Sequence, residues 1–210
     1  MQNLIEMYKR ESASTFNSIS NEQITRFVEM ILEAYDSGGK VYICGNGGNA
    51  AYVANFVTDL NLHPFVSEDK SKPMNVSKRM FCINLTDSTS TITGILNDVG
   101  ADFIFSEQMK ISARAGDLFI GLSGSGNSKN VLEAIKYGKT TGVKSIVITK
   151  KAESSCGLIA DLVVEITGDS EFPGQTGKNN NNFHFEDSVS KLSHITTGIL
   201  KQKVQNENRS

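Results

Sequence analysis

The chain has 210 residues, of which 39% are hydrophobic and 21% charged, with a formal net charge of -2. That length and balance allow one substantial core, and the near-neutral charge excludes a global attraction to nucleic acid or to an acidic membrane surface. No run approaches the ~20 apolar residues of a membrane span, and the first residues lack an apolar signal core, so the expectation is a cytoplasmic protein. The cysteines, Cys44, Cys82 and Cys156, have no metal-ligand spacing. Two of them sit in apolar strand-like runs, which predicts buried free thiols.

Taken in order, residues 2 to 17 and 21 to 36 form a helical arm of about 37 residues. The second part carries the clearer stripe, Ile24, Phe27, Val28, Ile31, Leu32 and Tyr35, with Ser20 and Gln23 as a capping box and Gly38-Gly39 as its end. Val41 to Cys44 reads as a strand running into Gly45-Asn46-Gly47-Gly48-Asn49-Ala50, and Ala51 to Leu60 as a helix. Residues 63 to 80 are a long polar connection, either functional or mobile. Phe81 to Leu85 is a strand and a helix follows to about Leu96. Asn97-Asp98-Val99-Gly100 is a turn, and Phe103 to Ile111 returns to helix.

Asp117 to Leu122 is the strand that feeds Ser123-Gly124-Ser125-Gly126-Asn127-Ser128. Three hydroxyls and two glycines directly before a helix make a phosphate cradle, because a helix start offers free N–H groups and a partial positive charge. No Gly-Lys-Ser/Thr follows, so it is not a Walker loop. The plainer account is a Ser/Gly turn. The next helix ends near Gly142, followed by strands at Lys144 to Thr149 and Leu162 to Ile166. Residues 168 to 182 are loop, with a run of four Asn that low complexity explains, and the last helix runs from near His184 to about Val204. Strand and helix alternate, which predicts an α/β fold with a parallel sheet between helices, and both Gly loops can face one pocket at the carboxyl ends of the strands.

With both loops placed, the chain resembles the sugar isomerase (SIS) domain proteins and, among them, the phosphoheptose isomerases. The resemblance rests on Ile43-Cys44-Gly45-Asn46-Gly47-Gly48-Asn49-Ala50-Ala51, on Asn97-Asp98-Val99-Gly100, on Gly116-Asp117-Leu118 to Gly121, and on Ser123 to Ser128. It implies a single domain over 1–210 with a five-stranded parallel sheet in a flavodoxin-like three-layer sandwich. It also implies a homotetramer with sites at subunit interfaces. The implied activity is isomerisation of sedoheptulose 7-phosphate to a D-glycero-heptose 7-phosphate, which feeds activated heptoses for lipopolysaccharide and other surface polysaccharides.

By the same resemblance Asn46, Gly47 and Gly48 match the first substrate loop, with Asn49 where Ser is usual. Ser123, Gly124, Ser125 and Ser128 match the phosphate contacts, and Asn97 and Asp98 the polyol contacts. Asp59 stands where the family has a catalytic Glu, and His194 matches its catalytic His. Glu186 stands where Gln is usual, and Asn55 where a metal-binding His is usual. A divalent metal, often zinc, is implied at Asp59, Glu186 and His194, with His63 and His184 as neighbouring candidates and no nucleotide cofactor. A carboxylate and an imidazole suit the proton transfers of an aldose–ketose isomerase. Two other readings stay open: a non-catalytic SIS protein that binds a phosphosugar or a partner, and an isomerase of another phosphosugar.

Overall fold

The computed structural model describes residues 1–69, 72 and 76–208. Part of the 63–80 connection, residues 70, 71 and 73–75, lies outside them. Seven helices and five strands follow one another as α1 (Gln2–Asn17), α2 (Asn21–Ser37), β1 (Lys40–Gly45), α3 (Gly48–Leu62), β2 (Phe81–Asn84), α4 (Thr89–Asp98), α5 (Ser106–Lys110), β3 (Leu118–Leu122), α6 (Lys129–Thr141), β4 (Lys144–Thr149), β5 (Leu162–Glu165) and α7 (Asn182–Glu207). The strands form one parallel sheet in the order β2-β1-β3-β4-β5. The expected α/β sandwich is therefore the observed one. Its direction of winding reverses between β1 and β3, which puts the loops after those two strands side by side.

Alternation along the strands divides the core. Val41, Ile43, Leu118, Ile120, Ile146, Ile148 and Val164 face α2, α3 and α7, while Tyr42, Cys44, Phe119 and Val147 face α5 and α6. At the opposite end of the sheet from the loops, the buried Asp117 carboxylate accepts from Lys40 N at 2.8 Å and Arg114 N at 3.0 Å, fixing the starts of β1 and β3. All three cysteines are buried and free, as their apolar surroundings predict.

Several boundaries move. The Ser20–Gln23 capping box starts α2 as expected, and left-handed Gly38 (φ 68) closes it. By contrast, Phe103 to Ile111 is not one helix. Residues 101–103 form a 3-10 turn and only Ser106–Lys110 are helical, with Phe105 and Met109 buried on one face of the shorter helix. Asn97 and Asp98 close α4 instead of forming a free turn. The described part of 63–80 is a cover over the core: Pro64, Phe65 and Met80 are buried, and the Asn61 side chain bonds both the N and the O of Cys82.

The arm docks on α7 through a polar clasp. Glu11 accepts from Ser170 Oγ at 2.6 Å and Glu171 N at 3.0 Å, and meets Nε2 of the fully buried His184 at 3.1 Å. Tyr8 stacks on the His184 ring at 4.5 Å and donates to Asp187 at 2.7 Å. Burial by itself raises the Glu11 pKa. The bonds from Ser170, Glu171 and His184 outweigh it and hold the carboxyl below its ordinary value. Such a group contributes stability above its unfolded pKa of about 4.3, and that contribution is lost as pH falls through the lower folded-state value. Amide hydrogen exchange across α1 is therefore expected to speed up between about pH 5 and pH 3. Glu11→Gln is expected to loosen the arm already at pH 6 and to flatten that dependence. An unchanged pH dependence in the variant would remove Glu11 from this role.

Candidate active site

β1 ends at Gly45, whose Cα approaches Asn49 so closely that a Cβ there would lie 2.8 Å from the Asn49 Cβ. The chain turns through Asn46 and Gly47, whose φ of 58 suits glycine, and enters α3 at Gly48. The loop after β3 lies alongside. Asn46 and Asn130 exchange side-chain amide bonds at 3.0 and 2.9 Å, joining the two loops directly. Ser123 is buried, with its Oγ 2.9 Å from Ser128 Oγ, and Ser125 Oγ accepts from Asn127 N at 3.2 Å. Ser128 precedes α6 without capping it, which leaves the N–H groups of Lys129 and Asn130 for an anion, while Val131 N donates to Asn130 Oδ1 at 3.0 Å.

Residues 154–156 hold this loop from behind. Cys156 N donates to Gly126 O at 2.9 Å, and Asn127 Oδ1 accepts from Ser155 N and Oγ at 3.0 and 2.8 Å. Gly126 has φ 67, and a Cβ on it would lie 2.0 Å from Ser154 Oγ.

The second half of the site lies between α3 and α7, which run side by side in the same direction. Gly48 faces Glu186, and Asp59 faces Ser193 and His194. Asp59 is 7% exposed. Its Oδ2 accepts from Asn55 Nδ2 at 2.9 Å and Ser193 Oγ at 3.1 Å, and lies 3.4 Å from His194 Nε2. Its Oδ1 is 3.6 Å from His63 Nε2. Both imidazoles are largely open to solvent. The carboxylate is thus anchored on one oxygen and available on the other. A groove of about 330 Å³ lined by Ala51, Tyr52, Asn55, Ser190 and His194 continues along α3. From Gly48 to Asp59 the helix rises about 16 Å, so the groove lies along α3 between the Ser/Gly loops at its start and the carboxylate–imidazole pair near its end.

Glu186 sits at the loop end of α3, where a Cβ on Gly48 would lie 2.6 Å from its Oε1. Its carboxyl is pushed up from the ordinary value, first by burial and then by Asp187. Glu186 and His194 both lie in the regular body of α7, eight residues or about 12 Å apart. Within one chain the expected metal set of Asp59, Glu186 and His194 is therefore not brought together, and the Asn55 amide is committed to Asp59. No group of three or more His, Cys, Asp and Glu side chains suited to a metal occurs among the described residues. His184, the other neighbouring candidate, is buried against Glu11 and away from Asp59.

Asn97 and Asp98 are exposed at the end of α4. Among the described residues their only side-chain hydrogen bond is to each other, at 2.7 Å. Two residues of the site escape a reading of the sequence, Asn130 and Lys150. The signal for Lys150 was its position directly after β4, on the ligand-binding edge of the sheet.

The SIS domain model matches residues 7–150, and the chain belongs to that family. Within it the chain stands with the phosphoheptose isomerases. A Thermoplasma acidophilum protein named "Probable phosphoheptose isomerase" is 36% identical over 162 residues, covering 77% of this chain and 84% of that protein. The phosphoheptose isomerase of Campylobacter concisus is 35% identical over 162 residues, covering 77% and 80%. Among solved structures, the phosphoheptose isomerase of Neisseria gonorrhoeae shares the fold with a TM-score of 0.76 at 24% identity, covering 96% of this chain and 98% of that one.

Gly126→Ala is expected to displace the Ser123–Ser128 loop, since both φ and space oppose a side chain. Isothermal titration with a sugar phosphate is expected to show affinity at least tenfold lower than for the unaltered chain, with the secondary structure retained. Unchanged affinity would mean that the loop does not hold the phosphate.

Proposed function

We propose that the protein is an aldose–ketose isomerase that converts sedoheptulose 7-phosphate to a D-glycero-heptose 7-phosphate for activated-heptose synthesis. The observation that carries this reading is the Asp59–His194 pair near one end of α3, with a groove beside it and the Ser/Gly loops at the other end. The relatives named phosphoheptose isomerase support it. The phosphate contacts supply binding energy remote from the reacting carbons and orient the chain.

In the reaction a base takes a proton from C1 of the ketose, an enediol forms, and the proton returns at C2 while the two oxygens exchange protons. Asp59 is the base, because its Oδ1 is left for the substrate while Asn55 and Ser193 fix Oδ2. Burial strips water from this carboxylate, and the neighbouring imidazole of His194 reaches the groove to give and take the oxygen-bound proton. Asp is one methylene shorter than the usual Glu. The Asn55 and Ser193 bonds hold it in one position, which limits the loss from a shorter reach. Glu186, at the loop end, is placed to meet the sugar hydroxyls. No step here passes through a metal.

We also infer that copies of the chain assemble, and the tetramer expected from the resemblance is the form we propose, in the cytoplasm. Support comes from α4, which carries Ile92, Ile95 and Leu96 yet has no buried residue, and from exposed Phe81, Val99 and Ile111 nearby in the chain. No described helix is long and apolar enough to cross a membrane. Sedimentation at micromolar concentration is expected to give an oligomer, and a monomer would overturn the assembly.

NMR of sedoheptulose 7-phosphate with the protein in deuterated water is expected to show deuterium entering the sugar as an aldose phosphate appears. Asp59→Asn and His194→Ala are each expected to lower kcat at least a hundredfold. Binding without exchange would replace the isomerase with a phosphosugar-binding protein, and exchange only with other sugars would change the substrate.

A further inference from the structure

Lys150 follows the last residue of β4 and lies against the phosphate loop. Its backbone N donates to Gly124 O at 3.1 Å, and its Cε would be 3.4 Å from a Cβ placed on Gly124. Its ammonium donates to Asn182 Oδ1 at 2.6 Å, and Asn182 Oδ1 itself would be 3.9 Å from that same Cβ. The ammonium and its partner thus both sit beside the glycine that separates Ser123 from Ser125.

The group lacks a counter-charge. No ion pair to Lys150 occurs among the described residues, whereas Lys144 and Lys203 have carboxylates at 3.0 and 3.1 Å. Burial alone moves the Lys150 pKa, and it moves it down. A half-buried cation with only an amide for company is costly unless something negative arrives. The first turn of α7 adds to the local positive potential through its helix dipole, although Gln175 Oε1 accepts from Phe183 N there at 2.7 Å.

The Asn run is built around this lysine. Asn179, at φ 52, donates to Lys150 O at 2.6 Å and takes Asp169 Oδ1 on its backbone N at 2.8 Å. Asn180 donates to Thr176 O at 3.0 Å, Asn181 is fully buried, and Asn182 holds the ammonium. Each of the four Asn has its own place, so low complexity does not describe the run. Two of the four, Asn179 and Asn182, bond Lys150 and fix its backbone and its ammonium, while Asn180 bonds within the loop and the buried Asn181 side chain has no hydrogen-bond partner.

We propose that Lys150 is the counter-ion of the substrate's phosphate, held at the cradle by the 179–182 segment, and that it sets the preference for phosphorylated over neutral sugars. The proposal rests on the isomerase reading for the identity of the sugar but not for the anion. Ser123, Ser125 and Ser128 supply hydroxyls and α6 supplies N–H groups. Lys150 supplies the full charge that these neutral donors lack.

The test uses the full chain and three variants. Lys150→Met keeps the stem packed on Gly124 and removes the charge. Lys150→Arg keeps the charge. Lys151→Gln removes the neighbouring charge as a control. Inorganic phosphate is titrated by ³¹P NMR and sedoheptulose 7-phosphate is followed by steady-state kinetics. Lys150→Met is expected to weaken phosphate binding at least tenfold and to raise KM at least tenfold with kcat within threefold. Lys150→Arg is expected to stay within about threefold of the unaltered chain, and Lys151→Gln to match it. Phosphate binding by Lys150→Met equal to that of the unaltered chain would overturn the proposal. So would equal losses in the Met and Arg variants, which would make the lysine a packing residue. If phosphate binds and Lys150→Met weakens it while no heptose phosphate turns over, the lysine assignment stands and the isomerase reading fails.

Discussion

The site depends on one packing constraint, the side-by-side course of α3 and α7. Val53, Phe56 and Leu60 from one helix and Phe185, Val189 and Leu192 from the other are all buried in the same apolar cluster. Burial of side chains of this size is worth about 1.5–3 kcal/mol each, so the pairing has a strongly preferred register. A helix advances about 100° per residue. A slip of one position would turn Asp59 away from Ser193 and His194, and Gly48 away from Glu186. The Asp59–His194 pairing is therefore a by-product of hydrophobic registration. The sheet fixes where α3 begins, because Gly47 takes the chain directly from β1 into the helix at the winding reversal.

Around this frame the polar atoms are satisfied by one another before any ligand is present. Ser123 bonds Ser128, Asn46 bonds Asn130, and Asn55 and Ser193 bond Asp59. Such pairing keeps donors and acceptors in fixed directions, so little reorganisation is needed when charge arrives. The exceptions mark the working ends of the site. Asp59 Oδ1 has only a distant imidazole, the start of α6 is uncapped, and Lys150 has no anion.

Local pattern carried much of this. Alternating apolar strands, the helix stripes and the Ser20–Gln23 cap are each set by a few neighbouring residues, and they gave the element order and the parallel sheet. The two glycine loops were legible because φ and close approach restrict the residue type there. Asp59 and His194 were reached through resemblance, since nothing local distinguishes them from ordinary helix residues. The 12 Å between Glu186 and His194 was legible, since eight residues of one helix set it and both lie inside the expected and the observed helix. What stayed hidden is tertiary in origin. The Asn run looked like filler because its partners, Lys150, Thr176 and Asp169, lie elsewhere in the chain or across a loop.

The clasp between Glu11 and His184 gives the arm a part in the chemistry without placing any arm residue in the groove. His184 lies two residues after Asn182 and two before Glu186, so α1 grips α7 at the turn that presents both the lysine's partner and the sugar-facing carboxyl. Ser170 and Glu171, bonded to the same Glu11, carry the grip into the loop that supports Lys150. One carboxylate thus ties three stretches together, and losing it would release the arm, the 170–171 loop and the first turns of α7 at once.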